Sequence, residues 1–179
     1  MNTLKKPVVA WSIVIVVIVI AVAIGLFRGR SASDRPGPGG PPAPAPGSVT
    51  AYTYVYDDAN VLSASTERKL GQTNDELIDD YNCAVAVVTC NYGGNDLYDY
   101  AMDYAEAIDL GGTDFIVVLD ISGENYYLVQ GADLVDWFSD QDCTDYAREY
   151  MERDFARGDY NDAALSISEA LADWIAYNY

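Results

Sequence analysis

The chain has 179 residues, half of them hydrophobic, and a formal net charge of −18. That is enough for one ordinary domain with accessories. It contains no histidine, which excludes Ser-His-Asp and Cys-His nucleophile systems, phosphohistidine chemistry and histidine-ligated zinc. From Ser48 onward 27 acids face five bases, a net −22. A field of that sign repels nucleic acid and concentrates cations, so no nucleic-acid partner is expected.

The other five bases lie in the first 35 residues. A short head carrying Lys5 and Lys6 precedes Val8 to Phe27, an almost purely apolar run that leads into Arg28 and Arg30. Twenty residues at ~1.5 Å each span ~30 Å, one hydrocarbon core. The run is longer than a signal-peptide core, which usually ends at a small-x-small cleavage site, and it leads into Arg28 and Arg30, so it reads as an uncleaved single-pass anchor. Residues 1–30 thus form a cytoplasmic head and transmembrane helix, with the acidic domain displayed outside the cytoplasm at the cell membrane. A secreted protein with a cleaved leader is the competing reading. Residues 31–50 hold all but one of the prolines and read as an extended tether without a core.

Residues 51–179 alternate between helical and strand patterns. Tyr52, Tyr54 and Tyr56 recur with period two, as in an edge strand or extended arm. Ser63 is a helix cap, and Leu70, Leu77, Ile78 and Tyr81 share a face of a helix running to about Tyr81. Cys83 to Cys90 is a continuous apolar run, the signature of a strand covered on both faces. A second helix is expected over Asp96 to Asp109, buried through Leu97, Tyr100, Ala101, Tyr104, Ala105 and Ile108. Phe115 to Asp120 is a second core strand. The turn SGEN returns Tyr126 to Gln130 as its hairpin partner. A third helix starts at Ser139 or Asp140 and runs to about Phe155. Asp159 caps a fourth, with Ala163, Ala164, Ile167, Leu171, Trp174 and Ile175 along its apolar stripe. The order β-α-β-α-β-β-α-α implies a mixed sheet with helices on its faces.

No glycine pattern matches a nucleotide loop. The run Asp140 to Asp145 fails as an EF-hand: Asp145 stands where the sixth-position glycine belongs and Met151 where the twelfth-position glutamate belongs. A looser carboxylate site is open. Asp120 ends a strand, and Asp57 and Asp140 each precede a helix, where loops at the carboxyl ends of strands gather ligands. Three such oxygens suit Ca2+ or Mg2+ rather than a softer metal. The alternative is that Asp57 and Asp140 are caps or loop anchors. Cys83, Cys90 and Cys143 read as small buried hydrophobes; the first two, seven residues apart in one strand, lie roughly 23 Å apart and cannot pair.

Six segments in order resemble the TPM domain family. VYDDANVLS, through Asp57, Ala59, Leu62 and Ser63, is similar to the family's V-x-D-x-A-x-x-L-S. AVVTC at Ala86 to Cys90, Tyr100-Ala101, FIVVLD, Gly131 with Ser139-Asp140, and FARGDY at Phe155 to Tyr160 follow in register. The resemblance covers about Thr53 to Ile175. It implies a Rossmann-like three-layer α/β/α sandwich, often tethered to a membrane, with Asp57 and Asp140 at acidic positions of the family's metal or active-site cluster. Relatives include lumenal plant proteins described as acid phosphatases, a modulator of a receptor channel, and Ca2+-binding modules. Many members carry an Arg after the second core strand, where this chain has Glu124-Asn125. The expectation is a membrane-anchored cation-binding module for an envelope or membrane protein partner, with a metal-dependent acid phosphatase as the alternative.

Overall fold

The computed structural model describes residues 52–179. The expected anchor and tether lie outside the described residues. Among those described, no helix is long and apolar enough to cross a membrane.

Four strands form one mixed sheet in the order β1-β2-β3-β4. β1 is Val55–Asp57, β2 is Val85–Cys90 and β3 is Phe115–Asp120, and these three run parallel. β4, Asn125–Gln130, returns antiparallel to β3 through the SGEN turn, pairing Asp120 with Asn125 and Phe115 with Gln130. β2 and β3 are buried along their whole length, as continuous apolar runs in a sheet covered on both faces should be.

The faces follow from strand parity. Val85, Val87, Phe115, Val117 and Leu119 point to one core with Leu70, Leu77, Ile167 and Leu171. Ala86, Val88, Cys90, Ile116 and Val118 point to the other with Leu97, Tyr100 and Tyr104. Helix α1 (Ala64–Tyr81) therefore covers the first face and α2 (Leu97–Ala107) the second. Both crossovers step the same way along the sheet, yet their helices lie on opposite faces. One of the two β-α-β units is consequently left-handed, against the usual rule.

The arm expected from Tyr52 onward narrows to three strand residues. Tyr54 sits at φ 54°, which breaks an extended run. β1 starts opposite Val87, so Val85 lacks a strand partner on that side. Asn74 of α1 supplies one: its Oδ1 accepts from the Val85 amide (2.8 Å) and its Nδ2 donates to the Val85 carbonyl (3.0 Å). The same amide group donates to the Thr53 carbonyl (3.2 Å). Asn74 is buried, and the fit satisfies backbone groups that would otherwise be orphaned.

The third helical stretch covers the expected span with an internal change. α3 (Asp140–Tyr146) passes into a π-helical turn, Ala147–Met151, before α4 (Glu152–Phe155). α5 (Tyr160–Asn178) follows, and Asp159 at its N-cap position makes no side-chain cap bond. The Ser63 cap acts as the sequence predicts, and the next two helices are capped where they were expected to start. Ser63 accepts from the Thr66 amide, Asp96 from the Asp99 amide, and Ser139 with Asp142 closes a capping box. All three cysteines are buried and unpaired with one another.

Candidate functional site

The parallel strands deliver Asp57, Thr89, Cys90 and Asp120 to one end of the sheet, at β1, β2 and β3 respectively. Three loops start there, and each has a left-handed residue: Asn60, Gly93 and Glu124. This is the carboxyl end of the sheet, where open α/β folds gather ligands.

Asp57 is half-buried and its carboxylate is heavily used. Oδ1 accepts from the Val61 amide (3.0 Å) and Oδ2 from the Leu62 amide (2.9 Å). The Thr89 hydroxyl also donates to Oδ1, while its oxygen accepts from the Ala59 amide (3.2 Å). The VYDDANVLS stretch is thus folded around one carboxylate, which sets Ser63 in place to cap α1. Asn161 secures the far end: it accepts from the Ser63 amide (2.8 Å) and donates to the Val61 carbonyl (3.4 Å).

Asp120 does the same for two loops at once. It is 1% exposed. Its Oδ2 accepts from the Gly93 amide (2.8 Å), and its Oδ1 accepts from the Ser122 hydroxyl and the Gly123 amide, each at 3.1 Å. A Cβ on Gly123 would stand 2.2 Å from that carboxylate, so only glycine lets the chain approach. Three donors on a buried carboxylate are what its desolvation requires.

Asp58 is the acid that faces outward. It accepts from the hydroxyl of Tyr104 (3.2 Å), a residue with no exposed surface. Burial, and then the Asp58 charge, push that hydroxyl well above the usual phenol range. Tyr100 shifts the same way, mainly by burial. Burial likewise pushes the Cys90 thiol up to about 11. These groups are held as neutral donors, the reverse of what a nucleophile needs.

Asp140 lies elsewhere. It is exposed in the first turn of α3 and accepts from Gln130 Nε2 (2.8 Å). Gln130 Oε1 accepts in turn from the Cys143 thiol (2.9 Å). Gln130 pairs with Phe115, five residues from Asp120 along β3, roughly 16 Å at strand spacing. The structure therefore brings Asp57 and Asp120 to one end and leaves Asp140 at the other. The three acids expected to share a Ca2+ or Mg2+ are thus not brought together, and amide and hydroxyl hydrogens already point at Asp57 and Asp120. Among the described residues no three acids or cysteines group to hold a metal.

Sequence reasoning missed Thr89, Tyr104 and Asn161. Thr89 had a signal, as the lone hydroxyl in an apolar strand. Tyr104 and Asn161 had none, because a tyrosine on an apolar stripe and an asparagine in a first turn are both ordinary.

Comparison with known proteins fits this architecture. No curated protein matches the chain. Three solved structures share the fold. The N-terminal domain of a P. gingivalis protein has a TM-score of 0.60 at 20% identity, covering 68% of this chain and 80% of that one. The N-terminal domain of the cg2496 protein of Corynebacterium glutamicum has 0.54 at 15%, covering 75% and 89%. The BA42 protein of Bizionia argentinensis has 0.56 at 15%, covering 65% and 82%. The profile of the TPM domain matches residues 55–174, a span that takes in every strand and both braced carboxylates, and the chain belongs to the TPM domain family.

Proposed function

We propose that this TPM domain is a binding module, tethered by the apolar segment Val8 to Phe27 and displayed outside the cytoplasm to engage an envelope or membrane protein. The observation that carries this reading is the use made of Asp57 and Asp120. Both carboxylates brace loops through backbone amides and hydroxyls, which leaves a rigid loop rim and no poised acid-base pair. Two further features weigh against phosphomonoester hydrolysis. Glu124-Asn125 stands where many family members carry an Arg, and the net −22 from Ser48 onward repels a dianionic substrate.

The test uses the full chain in detergent or nanodiscs. It is melted with Ca2+, with Mg2+ and with chelator, and assayed on p-nitrophenyl phosphate under each condition. The expected result is no hydrolysis above the blank and no saturable shift in melting temperature. An ion at 100 times its dissociation constant would add about 2.7 kcal/mol. A shift of that kind, abolished by Asp57→Asn, would restore the cation site. Metal-dependent turnover lost in folded Asp57→Asn would replace the binding module with the phosphatase.

A further inference from the structure

At the end of the sheet away from the braced carboxylates, the loop between β4 and α3 presents Trp137 at 73% exposure and Val135 at 50%. The loop itself is firmly held. The Gly131 amide donates to the Asp114 carbonyl (2.7 Å) and the Asp133 amide to the Gly112 carbonyl (2.9 Å), which clamps its base to the turn before β3. A Cβ on Gly131 would sit 2.2 Å from the Gly112 carbonyl oxygen, so this close approach needs glycine. Inside the loop, the Trp137 and Phe138 amides both donate to the Leu134 carbonyl (2.8 and 2.7 Å). Leu134 and Phe138 are buried on either side of the exposed pair, and Phe138 is packed edge-on against Phe115, Tyr146 and Trp174.

The indole is therefore displayed on a rigid base. Apolar burial is available to this loop and is taken by its neighbours. Trp137 is turned out between them, as a preformed anchor with little ordering entropy left to lose on binding. Its setting is anionic: Asp133 and Asp136 flank it in the loop, both exposed, and among the described residues no cation is paired with either. Anionic lipid and a second copy of this acidic chain are both disfavoured by that charge.

We infer that the Val135–Trp137 knob is the docking element of the module, and that it inserts into an apolar pocket rimmed by Lys or Arg on a partner protein. This inference rests on the binding-module reading and names the surface and the chemistry of the partner. Trp137 fills the pocket, and Asp133 and Asp136 set orientation and encounter rate through the rim.

The experiment places p-benzoylphenylalanine at Val135 of the full chain in its native membrane, irradiates, and maps any adduct by mass spectrometry. The expected result is a discrete adduct with a second protein, at a Lys- or Arg-rich segment. Its yield falls at least tenfold in Trp137→Ala, and several-fold in the Asp133→Asn/Asp136→Asn pair or at high salt. Both variants change exposed side chains, and an unchanged melting temperature shows that they fold. No adduct, an adduct of two copies, a lipid adduct, or an adduct indifferent to charge would each overturn the inference. Failure of the underlying reading shows separately, as metal-dependent turnover in the phosphate assay whatever the crosslink gives.

Discussion

The two ends of the sheet use the same residue types in opposite ways. At the carboxyl end, Asp57 and Asp120 are turned inward and surrounded by donors, and Cys90, Tyr100 and Tyr104 are buried beneath them. At the amino end, Asp133, Asp136 and Asp140 remain exposed, and an indole stands out among them. Two of the three acids that look like a ligand site in the sequence, Asp57 and Asp120, are consumed by the fold, and the third, Asp140, is left exposed. Asp133 and Asp136, which look like ordinary surface, flank the feature most available to a partner. A carboxylate at a strand end is costly to desolvate, so the folded chain supplies it with amides. An acid on a short exposed loop stays hydrated and keeps its charge for long-range use.

This contrast is open to direct attack. The largest effect is expected from Asp120→Ala, which removes a buried carboxylate that accepts from the Gly93 and Gly123 amides and the Ser122 hydroxyl and so ties two exposed loops to the end of β3. It should cost about 3 kcal/mol or more in urea unfolding, and a loss below 1 kcal/mol would mean that the carboxyl-end loops stand without their brace. Next is the alkaline limb. The Cys90 thiol is raised from 9.0 to about 11, chiefly by burial, so the folded state holds a proton that the unfolded state releases. Its contribution is fully present below pH 9 and lost as pH rises through about 11, a fall of roughly 2–3 kcal/mol. Melts from pH 8 to 11 on the parent and Cys90→Ala should diverge in that window; parallel curves would place the thiol in contact with water.

Smaller effects test the remaining contrasts. Ser168 is buried in α5 and its hydroxyl has no hydrogen-bond partner among the described residues. Ser168→Ala removes that orphan and improves helix propensity, so it should raise stability by about 1 kcal/mol; a destabilised variant would show that the hydroxyl is satisfied in solution. The least is expected of Asp140→Ala. The side chain is exposed, and its one bond among the described residues is to Gln130, so the change should cost under about 1 kcal/mol. If Asp140→Ala matched Asp120→Ala, the division between the two ends would be wrong.

Much of the architecture was legible in one dimension. β3 was read to the residue, because Phe115 to Asp120 is an unbroken apolar run bounded by turn signals. The apolar stripes of α1, α2 and α5 were legible for the same reason, since a 3.6-residue period survives in sequence whatever it packs against. The caps at Ser63, Asp96 and Ser139 are local, set by bonds three residues long. The site was only half legible. Asp120 is legible as a strand end and Asp57 only as an acid preceding a helix, but their partners are up to 32 residues away, as Thr89 is from Asp57, and no periodicity encodes such a bond.

By itself, then, the sequence determined the order of elements, their buried faces, the absence of histidine chemistry and the acidity of the domain, because each depends on composition or on contacts a few residues apart. Tertiary structure alone decided the rest. An apolar stripe suits either face of a sheet, so only the assembled sheet sets α1 and α2 on opposite sides and makes one crossover left-handed. An asparagine inside a helix looks polar and ordinary, so only the short reach of β1 makes Asn74 a substitute strand partner. A carboxylate at a strand end reads equally as ligand or brace, and the choice falls to whichever donors its own loop and a distant one bring within 3 Å.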